Sequence, residues 1–230
     1  VNLNLGCPAA TVVTKARGSG FLADTRRLDR FFEDIFLALE AEHSTLGVSV
    51  KTRIGLEFPE EFEDILKIYN QYPLSEIIIH PRLQKDYYGN HPNLEVFSDA
   101  LSQSVHPVCY NGDIFTKADY EGFIKRFPSV DRIMLGRGVI GNPGLVREIV
   151  TGQQISKEEL QEYHDRLYAG YRDALGNEKD VLFKMKEVWY YLGSNFLNAE
   201  KELKKIRKAG RPEDYSVAVK RVFEDCEFSK

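Results

Sequence analysis

The chain has 230 residues, 43% of them hydrophobic and 29% charged, with 31 basic against 35 acidic side chains and a formal net charge of −4. That composition excludes disorder as the main state, and no apolar run approaches the ~20 residues of a membrane span. Three cysteines without a CxxC pair argue against a disulfide scaffold or zinc module and point to a reducing cytoplasm. The charge deficit belongs to the first 150 residues, with 16 basic and 20 acidic side chains, while residues 151–230 hold 15 of each. Within residues 179–211, nine basic side chains face only four acidic ones. Such a chain does not coat nucleic acid indiscriminately, but it can present one basic face.

Residues 1–150 repeat one theme: a short β-rich run, a polar turn, then an amphipathic helix. Strands are predicted at residues 1–5, 48–52, 76–80, 107–110 and 132–135. Between them run helical stripes: Leu28, Phe31, Phe32, Ile35, Phe36 and Leu39; then Phe62, Ile65, Leu66 and Tyr69; then Tyr120, Phe123, Ile124 and Phe127. Pro59, Thr116 and Asn142-Pro143 supply helix-start signals. Apolar strands alternating with helices imply a parallel sheet covered by helices. Five βα units fit an open doubly wound sheet by length, but no Gly-x-Gly-x-x-Gly follows the first strand. Polar residues at several strand ends instead suit the rim of a (β/α)8 TIM barrel, here a partial barrel of about five units.

From residue 151 the pattern becomes purely helical, with no further strand expected. Ser156 and Glu159 match a capping box. Leu160, Tyr163, Leu167 and Tyr171 form one stripe, and Val181, Met185, Val188, Trp189 and Leu192 another, closed by Gly193. Two shorter helices are expected near residues 199–208 and 213–224. The predicted organisation is therefore a barrel portion, 1–150, followed by a small all-α domain, 151–230.

The strand ends carry the candidate chemistry. Asn4-Leu5-Gly6-Cys7-Pro8 delivers a thiol to the rim, where Pro8 stops the ladder. Cys7 can act as nucleophile or proton donor, or be a small buried hydrophobe. Cys109, in mid-strand, and Cys226, near a helix end, read as buried hydrophobes. Lys51 and Arg53 alternate onto one face of the second strand, and a lysine in a barrel mouth calls for an anionic partner. A phosphate, a reduced flavin, a Schiff-base substrate or a structural carboxylate would each serve. His80 and Arg82 close the third strand, with His80 either donating to a ligand or capping the strand. Asn111-Gly112-Asp113 and Gly136-Arg137-Gly138 follow the fourth and fifth strands in the manner of a barrel phosphate cradle. His43, His91, His106 and His164 show no metal spacing and read as surface or turn residues; no metal site is expected.

Taken in order, these motifs resemble the tRNA-dihydrouridine synthases, FMN-dependent enzymes that reduce uridines of tRNA. The matching pieces are Asn4-Leu5-Gly6-Cys7-Pro8, Gly18-Ser19-Gly20-Phe21-Leu22, Val50-Lys51-Thr52-Arg53, His80-Pro81-Arg82, Asn111-Gly112-Asp113-Ile114 and Gly136-Arg137-Gly138. The resemblance implies that Cys7 protonates C5 of the uracil ring while hydride from the flavin reaches C6. It implies that Lys51 and His80 contact the flavin, and that Asn111, Gly112, Asp113, Gly136 and Arg137 hold FMN, chiefly at its phosphate. The helical domain is implied to grip tRNA, with Lys201, Lys204, Lys205 and Lys208 at helical spacing. Arg53, Arg82 and Tyr88 are further candidate substrate contacts, and NADPH is the implied reductant. Pro81-Arg82-Leu83 departs from the family's Gly-Arg-Thr, and Gln84 stands where the family carries a basic residue. The family begins with three more βα units, so the chain, opening on Val1, is expected to be part of a longer product that alone binds FMN weakly and does not turn over.

Three other readings compete. One is another FMN-dependent barrel oxidoreductase acting on a free pyrimidine, of the dihydroorotate-dehydrogenase kind. Another is a Schiff-base aldolase using Lys51. The third is a non-catalytic RNA-binding remnant.

Overall fold

The computed structural model describes residues 1–229, which divide into two compact units: residues 1–113 with 127–134, and residues 114–126 with 135 onward. Residues 114–126 and 135–150 group with the helices that follow.

The first unit runs β1 (Asn2–Leu5), the single turn α1 (Ala10–Val13), α2 (Thr25–Ala41), β2 (Ser49–Arg53), α3 (Glu61–Tyr69), β3 (Glu76–His80), α4 (Leu94–Gln103) and β4 (Val108–Tyr110). Its strands form one parallel sheet in the order β1-β2-β3-β4. A helical crossover joins each strand to the next, as parallel pairing requires. The expected fifth strand is reduced to one bridge, Tyr110 to Ile133. The incoming segment meets β4 at that one rung, through Tyr110 N–H to the Arg132 carbonyl and Met134 N–H to that of Tyr110.

Register and alternation sort the side chains. Leu5, Thr52, Ile79 and Tyr110 are successive partners across the sheet, so the strands end level with one another. Val50, Thr52, Ile77, Ile79, Val108 and Tyr110 are buried on the face that meets the helices. There Tyr69 of α3 donates to Thr52 Oγ1 at 3.0 Å, and Phe97 of α4 meets Tyr110 edge-on at 5.0 Å. Phe32, Phe62, Ile65 and Phe97 are fully buried, each contributing roughly 2 kcal/mol through burial. The opposite face carries Asn4, Lys51, Ile78 and Cys109 at one level, and Arg53 with His80 at the next. Cap chemistry sets the helix starts: Asp24 accepts from Arg27 N–H, and Asn93 from Glu95 and Val96 N–H.

The second unit contains α5 (Lys117–Arg126), α6 (Arg137–Gly141), α7 (Leu145–Thr151), α8 (Lys157–Leu175), α9 (Glu178–Leu192), β5 (Phe196–Leu197), α10 (Glu200–Lys208), α11 (Pro212–Asp225) and β6 (Glu227–Phe228). Thr116 caps α5 through Asp119 N–H, and Ser156 with Glu159 forms the expected capping box of α8. The two-residue pair β5–β6 corrects the expectation of no strand beyond residue 151. It forms because α11 returns the chain to its core, where Phe228 packs 5.6 Å from Phe196. Among the described residues no helix is long and apolar enough to cross a membrane, and no cluster of three or more His, Cys, Asp or Glu could hold a metal ion.

Candidate active site

The C-terminal strand ends of the first unit gather most of the residues singled out from sequence. Cys7 follows β1 as a half-buried free thiol. Its carbonyl accepts from Ser19 twice, from N–H at 3.0 Å and from Oγ at 2.9 Å. Gly18 backs it with φ +54°, and a Cβ there would stand 2.6 Å from the Cys7 carbonyl oxygen and 2.9 Å from the Cys7 Cβ. Only glycine adopts that backbone and permits that approach without strain.

Arg53 is buried at the end of β2, and all three of its side-chain nitrogens donate to backbone carbonyls: Nε to Gly6 at 3.1 Å, Nη1 to Leu83 and Nη2 to Tyr87, both at 2.6 Å. Its guanidinium also lies 5.8 Å from the Tyr88 ring centroid. Arg82 is equally buried and forms a bidentate pair with Asp113, at 2.8 and 2.6 Å, while its Nε donates to the Asn90 carbonyl. Both arginines, expected as substrate contacts, thus have their donors engaged within the unit. Tyr88 is more than half exposed, its ring 6.3 Å from that of His80.

Lys51 has no hydrogen-bond or ion-pair partner among the described residues. Burial, then the neighbouring Arg53, hold its ammonium below the ordinary lysine value, with Cys109 opposing weakly. His80 is driven down to about 3 by burial and by the cations Arg53, Lys51 and Arg82, against Asp113. Three cations therefore converge where only one, Arg82, has a carboxylate partner. A half-buried cation left unmatched costs free energy that a bound anion recovers. With the donors of Arg53 and Arg82 engaged, the Lys51 ammonium is the group that fits the anionic portion of a ligand such as a flavin.

Asn111 follows β4 and donates to the Met134 carbonyl at 2.8 Å. Gly112 lies against the Tyr110 hydroxyl too closely for any side chain. Gly136 and Arg137 belong to the second unit, where Arg137 opens α6 with its guanidinium 5.1 Å from the Phe115 ring centroid. Lys201, Lys204, Lys205 and Lys208 all line one groove of about 630 Å³ between α10 and α11, joined there by Arg221. Lys205 is paired with Glu202 at 2.7 Å.

Sequence reasoning missed three groups. His164, expected at the surface, is buried on α8: Tyr215 hydroxyl lies 2.7 Å from its Nε2, and Asp165 2.8 Å from its Nδ1. Trp189 Nε1–H donates to the same hydroxyl at 2.9 Å. Leu160 four residues earlier is buried too, so the helical stripe could have flagged His164. The others are the contacts of Ser19, which donates to the Cys7 carbonyl, and of Gln84, which donates to the Pro8 carbonyl at 3.2 Å.

The first unit is thus a parallel α/β unit that carries a thiol, a buried histidine and three cations at its C-terminal strand ends. The sequence pattern of one family, dihydrouridine synthase (Dus), matches residues 1–224, and the chain belongs to that family. The tRNA-dihydrouridine(16) synthase of Aquipseudomonas alcaligenes is 30% identical over 149 residues, 65% of this chain and 46% of that protein. The tRNA-dihydrouridine synthase B proteins of Pseudomonas putida and Shewanella oneidensis are 28% and 27% identical, each across 84% of this chain and covering 58% and 60% of their own lengths. The chain thus spans about half to three-fifths of the relatives it matches.

Proposed function

We propose that this chain carries part of an FMN-dependent enzyme, built on a (β/α)8 barrel, that reduces uridine in tRNA to 5,6-dihydrouridine. The observation that supports it best is the juxtaposition of the Cys7 segment with unmatched Lys51 and neutral His80 at one sheet rim. FMN, when bound, supplies hydride to C6 of the uracil ring, NADPH being the proposed source of its electrons. Cys7 holds the proton at Sγ and delivers it to C5, so that the reduced ring gains one hydride and one proton. Lys51 meets negative charge on the cofactor with its ammonium. His80 accepts from Arg82 through Nε2 and presents Nδ1–H as a donor. Asn111, Gly112 and Asp113 would hold the cofactor beyond β4, and Gly136 and Arg137 are assigned to its phosphate on motif order. The α10–α11 groove takes the RNA backbone.

The test compares dihydrouridine in tRNA from cells whose full-length protein is wild type or Cys7→Ala. Loss of dihydrouridine at one or more positions is expected; unchanged dihydrouridine everywhere would refute the assignment. A free-pyrimidine substrate, the nearest alternative, predicts that loss of the α10 lysines leaves turnover intact.

A further inference from the structure

The three carbonyls of Gly6-Cys7-Pro8 are each held by a different side chain: Gly6 by Arg53 Nε at 3.1 Å, Cys7 by Ser19 Oγ at 2.9 Å, Pro8 by Gln84 Nε2 at 3.2 Å. Such a complete set of grips is not needed merely to end a strand, since Pro8 already does that. Two of the three lead to one place. Arg53 also holds the carbonyls of Leu83 and Tyr87, and Gln84 lies between them in sequence. That loop is itself closed by Asp86, which accepts from Leu83 N–H at 2.9 Å and from Asn90 Nδ2 at 2.6 Å. Tyr87 sits at φ +47°, a conformation a bulky residue keeps only when its surroundings impose it.

We infer that Arg53 and Gln84 are positioning residues that couple the 83–88 loop to Cys7, so that the seating of the loop sets the direction of the thiol. The inference rests on Cys7 as the reacting group but not on the identity of the substrate. Exposed Tyr88 belongs to the same loop, so whatever docks against it acts through Arg53 and Gln84 on the backbone either side of Cys7. The coupling passes through hydrogen bonds to main-chain carbonyls, so it depends on donors at positions 53 and 84 and not on charge alone. A lysine at 84 would retain the donor; a methionine of similar length would lack it.

The experiment measures the rate at which iodoacetamide alkylates Cys7 in the folded 230-residue chain, by peptide mass spectrometry, with buried Cys109 and Cys226 as internal references. Gln84→Met is expected to change the Cys7 rate about fivefold, the size of one lost hydrogen bond, while Cys109 and Cys226 stay protected. Gln84→Lys is expected to restore the wild-type rate. In the full-length enzyme the same Met variant should lower kcat with KM nearly unchanged. Equal Cys7 rates in wild type and both variants would overturn the coupling, as would a Met variant that also unmasks Cys109. Because alkylation requires neither tRNA nor FMN, that failure is distinguishable from a Cys7→Ala variant that leaves dihydrouridine intact.

Discussion

His80 Nε2 lies 3.1 Å from Arg82 Nη1, both buried. An arginine nitrogen can only donate, so Nε2 must accept and the ring proton must reside on Nδ1. A second proton on Nε2 would remove the acceptor and place a fourth positive charge beside Lys51, Arg53 and Arg82. The imidazole is therefore held neutral, in one tautomer, by the guanidinium that Asp113 in turn orients.

The pH dependence of stability follows. His80 titrates at about 3 in the folded chain against the ordinary histidine value of 6.5. Burial also holds His164 below its ordinary value, with Asp165 opposing. Below pH 6.5 the unfolded chain binds protons that the folded chain refuses, so their contribution is complete above that value and is lost as pH falls. His80 adds a slope of up to about 1.4 kcal/mol per pH unit in that range, and His164 acts in the same direction. Urea unfolding between pH 6.5 and 5, above the carboxylate range, should show stability falling with pH. His80→Gln, which keeps an acceptor for Arg82 but cannot titrate, should flatten the slope; an unchanged slope would contradict the assignment.

Arg82 and Asp113 form a pair in which the guanidinium side chain is 1% exposed and the carboxylate 25%. Asp113→Ala leaves that cation buried without its partner, and a loss of about 3 kcal/mol is expected. Asp113→Asn keeps an acceptor and should cost less. Urea midpoints of the two variants give the ranking, and an Asn variant as unstable as the Ala variant would show that charge, not hydrogen bonding, dominates.

What was legible in the sequence depended on how local each signal is. Alternation placed Lys51 and Arg53 on one face because strand geometry is fixed within three residues. Ser156 and Glu159 likewise announced the α8 cap within a single turn. Burial of Arg53 was not legible, because its partners are the carbonyls of Gly6, Leu83 and Tyr87, which carry no side-chain signature. Burial of His164 was not legible for a related reason: its partners are remote in sequence, the Tyr215 hydroxyl 51 residues away and the Trp189 ring 5.5 Å from the imidazole. The fifth strand shrinks to the Tyr110–Ile133 bridge, an outcome that β propensity at residues 132–135 does not carry because pairing depends on the partner strand.

The hydroxyl of Tyr215 joins two helices to α11, taking the Trp189 N–H and donating to His164 Nε2. Tyr215→Phe preserves the ring packing but strands two buried polar groups, so a loss of about 2 kcal/mol is expected. Tyr190→Phe, whose residue is 77% exposed, should change stability by no more than about 0.5 kcal/mol. Thermal midpoints distinguish the two. Equal, small effects would mean that water satisfies the His164 and Trp189 nitrogens in the variant.

The α10–α11 groove yields a prediction in the salt dependence of binding. Lys201, Lys204 and Lys208 are exposed within it, whereas Lys205 already faces Glu202. A lysine that neutralises an RNA phosphate releases a counterion on binding, so removing it lowers both affinity and the slope of log K against log salt. Lys204→Ala and Lys208→Ala should each weaken tRNA binding and reduce that slope by about 0.7 to 0.9. Lys205→Ala should change the slope less, because its ammonium is partly compensated before RNA arrives. Filter binding across a range of salt concentrations separates these outcomes. If all three variants kept the wild-type slope, the basic face of α10 would be a solvated helix surface and RNA would bind elsewhere on the chain.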